Sequence, residues 1–219
     1  MARVAWPNLP TLLIGDWVIS LAALFVVVVA PGASPVAVIL WALIVAPIFG
    51  ALLAQISDMT EHKAVSPLSV FAYSRRYGVI SISVWLVPAV SAASSLVALQ
   101  WWKQTRDGFA LLATSAGGCA TVVLILGAVA ALPIAIREPS ARGVPLFLLS
   151  LHIVARRPVP IVAVLALLAI GAWASASLSP SIIVLIPALL ALVNHAAVWT
   201  SALVVDLHPD DEVGETRPA

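Results

Sequence analysis

Apolar residues run in six long stretches, at 11–30, 36–56, 79–99, 109–136, 159–178 and 182–205. About 20 apolar residues in a helix rising 1.5 Å each span a hydrocarbon core of roughly 30 Å. The pattern therefore predicts six transmembrane helices. The fourth stretch is over-long and carries Gly117-Gly118, so a tilt or kink is expected there. The first is longer than the apolar core of a signal peptide, about 7–15 residues. It contains Asp16 and is followed by "APGASP", with Pro31 where a cleavage site wants a small residue. A retained helix is expected.

Between the stretches the connections are 31–35, 57–78, 100–108, 137–158 and 179–181, so only the second and fourth are substantial. Their order, short–long then long–short, gives no sign of a three-plus-three repeat. In the second connection Ser66 and Pro67 suit an N-cap and a first helical position. Leu68, Phe71, Ala72 and Arg75 then share a helical face. In the fourth, "PLFLLSLHIVARRP" is too short to span, and His152 and Arg156 share a face at i, i+4. Two short helices along the inner membrane surface are expected, with Arg75, Arg76, Arg156 and Arg157 near anionic head groups.

Composition agrees with this class: 62% of the 219 residues are hydrophobic and 10% charged. Mean hydropathy is +1.10. Such a chain cannot clothe a soluble domain in polar side chains. The fold expected is an all-α polytopic membrane protein, with a six-helix domain at 1–205 and a disordered acidic tail at 206–219. With the N-terminus cytoplasmic, nine of the eleven Lys and Arg fall inside, and only Lys103 and Arg106 outside. Both termini are therefore expected in the cytoplasm. A net charge of +1 offers no footprint for nucleic acid.

Three segments resemble the YesL-like family of bacterial membrane proteins, a domain of unknown function. "APIFGALLAQ" (46–55) is similar to the family's proline-then-small-residue stretch late in the second helix. "FAYSRRYGVISISVW" (71–85) resembles its aromatic–basic entry to the third. "LFLLSLHIVARRPVPIVAVL" (146–165) is similar to the short helix, basic residues and proline before its fifth. The chain departs from the family at "GDWVIS" (15–20), where many members are Asn-rich, and at Lys103 and Arg106. The resemblance implies a bacterial plasma membrane protein associated with carbohydrate ABC uptake, whose genes often neighbour the family's. It implies no catalytic residues.

Enzyme signatures are missing from the sequence itself. There is no phosphate-binding G-x-x-x-x-G-K-[ST] loop and no H-E-x-x-H. The four histidines lack metal-ligand spacing and Cys119 stands alone, so no cofactor or metal is expected. "SAASSL" (91–96) and "TSAGGCAT" (114–121) read as close-packing surfaces between helices. Two groups remain as candidate functional residues. Phe71, Arg75, Arg76, His152, Arg156 and Arg157 could touch lipid head groups or dock a cytoplasmic partner. Asp16, Asn194 and His195 lie within spans, where polar groups either bond across helices or serve ion or proton coupling. A neutral His195 held by a hydroxyl or backbone carbonyl, near the middle of its helix, is the expectation. The function expected is an accessory or regulatory component of carbohydrate ABC uptake, its partners the bilayer and subunits of a transport complex. A self-sufficient small-solute transporter using Asp16 and His195, and a structural subunit of a larger membrane complex, are the alternatives.

Overall fold

The structure, a computed structural model, describes residues 9–61, 65–66, 68–138, 142–156, 158–177 and 186–206. Among them it is all-helical: α1 (Leu9–Val29), α2 (Pro35–Thr60), α3 (Ser69–Thr105), α4 (Gly108–Arg137), α5 (Val144–Arg156), α6 (Pro158–Ser177) and α7 (Ile186–Asp206). Four of these, α1 to α4, are long and apolar enough to cross a membrane. α5 and α6 make a fifth apolar unit, bent by 96° at their junction, and α7 carries a shorter apolar stretch, Ile186–Val198. Four to five membrane-capable units are thus present, compatible with a multi-pass membrane protein. The expected N-cap at Ser66 is corrected: α3 begins at Ser69 with Leu68 in the cap position and no side-chain cap, while Pro67, the 207–219 tail and 182–185 of the sixth stretch lie outside the described residues.

Local chemistry explains the boundaries. Ser34 opens α2: its hydroxyl accepts from the Ala37 N–H at 3.1 Å, with Pro35 at the first helical position. Farther on, α2 widens into a π-helical turn over Trp41–Val45, just before Pro47. Proline has no N–H to donate and its ring crowds the carbonyl four residues back, so the ladder must loosen there. α2 then becomes the hub of the bundle. Leu52, Leu53, Gln55 and Ile56 are all buried, and a helix enclosed on every side is a core helix. The second half of α4, from Gly127 to Ile136, is almost as enclosed and packs against it.

Two expectations about the connections are corrected. The segment around Phe71 and Arg75 is not a separate surface helix; it is the first part of the 37-residue α3. Gly78 does not break it, because it faces Pro47 of α2 at a close approach where a Cβ would sit 3.3 Å away. Likewise, the nine-residue connection at 100–108 shrinks to Arg106 and Asp107. Arg106 closes α3 in the left-handed conformation (φ 56°) with its guanidinium over the Trp102 ring. Asp107 caps α4 by accepting from the Phe109 N–H at 3.0 Å. At 37 and 30 residues, α3 and α4 exceed the roughly 20 that a bilayer core requires.

"SAASSL" and "TSAGGCAT" meet along this hairpin. Ser91 and Thr121 hydroxyls bond at 3.0 Å, and a Cβ on Gly117 would land on the Ser95 hydroxyl. α5 is a separate short helix and is amphipathic. Leu146, Ser150, Ile153 and Val154 are buried, with Phe147 and Leu151 closing over Gly127 of α4.

Candidate functional site

Polar side chains gather in the interior where α1, α2 and α7 meet. Asp16 is buried, and its carboxylate accepts a hydrogen bond from the backbone N–H of Ala188, in the first described turn of α7. Its Oδ1 has no partner. Facing α1 from α2, the fully buried Gln55 donates through Nε2 to the Ser69 hydroxyl at 2.9 Å, while its Oε1 is unpartnered. That oxygen lies 3.9 Å from where a Cβ on Gly15 would stand, so α1 approaches α2 closely beside Asp16.

Asn194 and His195 address different neighbours, as adjacent residues about 100° apart on a helix should. Asn194 Nδ2 donates to the Val129 carbonyl of α4 at 3.2 Å. The reason lies in α4 itself. Residue 133 is proline, so the carbonyl four residues earlier, that of Val129, has lost its helical donor. The asparagine supplies the missing hydrogen from another helix, one of the ways a proline is tolerated inside a spanning segment.

His195 is held by a hydroxyl: its Nε2 lies 3.4 Å from Thr60 Oγ1. Thr60 already donates that hydroxyl hydrogen to the Ser57 carbonyl at 2.6 Å. Its oxygen can therefore only accept from the ring, which assigns the Nε2–H form to His195. Thr60 is the last residue of α2, and the charged groups acting on the ring are Arg137 at the end of α4 and Glu61. His195 is the tenth of the 21 residues of α7, mid-helix as expected, and there it faces the ends of α2 and α4. Asp16, bonded to Ala188 two turns earlier on α7, and His195, bonded to Thr60, belong to separate contacts.

The second candidate group is exposed. Phe71, Arg75 and Arg76 on α3 and His152 and Arg156 on α5 all face outward; Arg157 lies outside the described residues. Arg76 stacks over the Tyr77 ring at 5.3 Å. Tyr73 and Tyr77 beside them are half-buried. They stack at 6.1 Å between ring centroids and pack on the core, and the Tyr73 hydroxyl donates to Asp58 of α2. Sequence reasoning did not single out Gln55, Asp58 or Thr60. For Gln55 the signal was present, since it is an uncharged polar residue inside the second apolar stretch, where such groups are expensive and rarely idle.

Among the described residues no group of three His, Cys, Asp or Glu side chains could hold a metal ion. No family model matches the chain, and no curated protein or solved structure matches it.

Proposed function

We propose that the chain is a non-catalytic, multi-pass component of the bacterial plasma membrane that serves as an accessory or regulatory part of a transport assembly, with carbohydrate ABC uptake the assembly implied by the YesL-like resemblance. In this reading α6 and α7 complete six spans, both termini are cytoplasmic, and the bases of α3 and α5 face the cytoplasm. The observation that carries it is a division of labour. The interior Asp16, Gln55, Asn194 and His195 bond from helix to helix, whereas Phe71, Arg75, Arg76, His152 and Arg156 project outward. Arginine guanidinium is suited to forked hydrogen bonds with carboxylates of a partner as well as to lipid phosphate. Affinity purification of the full chain in mild detergent tests this. Co-purifying permease or ATPase subunits support it, and other stable membrane partners support a structural subunit instead.

A second reading is a self-sufficient small-solute transporter, and one observation favours it. Asp16 Oδ1, Gln55 Oε1 and Asn194 Oδ1 are all buried acceptors without donors, and acceptors in that state attract a proton or a cation. Flux of a solute through the purified chain in vesicles, abolished by Asp16→Asn, would favour it over the first.

A further inference from the structure

A cavity of about 870 Å³ lies among α1, α2, α3, α4, α6 and α7. Its described walls are almost wholly hydrocarbon. Ser20 contributes the one hydroxyl, and the other polar side-chain atoms belong to tryptophan indoles. Ser20 Oγ and Trp85 Nε1 are themselves buried in the packing. The space extends along the helices. Its lining runs from Trp17 to Val27 along α1, about 15 Å at 1.5 Å per residue, and from Val38 to Phe49 along α2. It also opens sideways, because Trp17, Leu21 and Leu24 line it and are 57%, 59% and 58% exposed.

These features select the occupant. Water needs two to four polar partners, whereas the Ser20 hydroxyl and the Trp85 indole N–H are buried in the packing and the rest of the wall is hydrocarbon or indole. A sugar or an ion would lose its hydration for nothing in return. The volume falls within the roughly 300–1,000 Å³ of ligand pockets, and the lining extends about 15 Å along α1. A membrane-spanning bundle with a lateral apolar opening is bathed in lipid tails. We propose that this cavity holds one hydrocarbon chain of a bilayer lipid, which enters beside α1 and lies along the helix axes. The site is independent of the partner reading above, since it concerns neither the exposed arginines nor the polar interior.

The full-length chain is reconstituted in vesicles of a single phosphatidylcholine, extracted in mild detergent and weighed by native mass spectrometry. The expected result is a monomer that keeps one phospholipid under activation that strips the rest. Ala89→Phe and, independently, Ala42→Phe place a ring in the cavity and should lower the retained fraction about tenfold or more. Leu112→Phe, on an exposed part of α4 outside the cavity, should leave it unchanged. A wild-type chain that keeps no phospholipid overturns the proposal whether or not the variants fold. So does equal retention in folded Ala89→Phe and Ala42→Phe, or a lipid-free dimer in which a second copy covers the opening.

Discussion

Replacing Asn194 by leucine should destabilise the bundle, and proline 133 is the reason. Pro133 denies the Val129 carbonyl its usual donor four residues on, and Asn194 Nδ2 at 3.2 Å supplies a hydrogen bond in its place. Leaving a buried backbone acceptor unmade costs about 1–3 kcal/mol, whereas side-chain bonds between membrane helices average about 0.6 and reach about 1.7 kcal/mol. Part of the loss is offset, because the substitution also removes the unpartnered Asn194 Oδ1. A net cost of about 1–2 kcal/mol follows for Asn194→Leu. In a Pro133→Ala background the alanine N–H can bond Val129 itself, and the same Asn194→Leu change should cost about 0.5 kcal/mol or less. The two single variants and the double variant, unfolded reversibly in mixed micelles, give the coupling directly. An equal cost of Asn194→Leu in both backgrounds would refute the proline-repair explanation.

Glycine positions provide a second packing test. A Cβ on Gly50 would fall on the Ser81 hydroxyl and 3.0 Å from Ser81 Cβ, while one on Gly118 meets nothing within 4 Å. Gly50→Ala should therefore lose about 1–3 kcal/mol to overpacking, against a gain of about 0.5–1 kcal/mol in helix propensity. Gly118→Ala should keep the gain alone. Thermal melts of both variants check this, and a Gly50→Ala protein as stable as Gly118→Ala would contradict the close approach of α2 and α3. For topology, single cysteines introduced at Ser34 and Thr105 of a Cys119→Ser protein should react with an impermeant maleimide added to intact cells. Labelling at Ser66 or Arg142 under the same conditions would reverse the proposed orientation.

Hydropathy made the helices of α1, α2 and α4 legible almost to their ends: stretches at 11–30, 36–56 and 109–136 became Leu9–Val29, Pro35–Thr60 and Gly108–Arg137. It failed for α3, because a polar or aromatic residue ends an apolar run without ending a helix. Ser69 to Tyr77, and Trp101 to Thr105, hold no proline or glycine, so the backbone ladder continues through both. The polar contacts were only half legible. A hydroxyl partner for His195 followed from the cost of an unpaired imidazole, but its place at the end of α2 depends on how α2 and α7 pack, bringing together residues 135 positions apart in sequence. The link between Asn194 and Pro133 needed the fold, since the proline announces a spare carbonyl without saying which helix supplies the donor.

The arginines of the two cytoplasmic connections are where the proposed function is most open to contradiction. Arg75, Arg76, Arg156 and Arg157 are all replaced by lysine, which keeps the charge that orients the chain but removes the fork. Wild-type and variant chains are purified from membranes in mild detergent, and bound permease and ATPase subunits are quantified per chain. The expected result is normal membrane insertion of both and depleted partner subunits on the lysine variant. Equal recovery of partners on both chains would remove these arginines from docking, and a wild-type chain that purifies alone would contradict the accessory role itself.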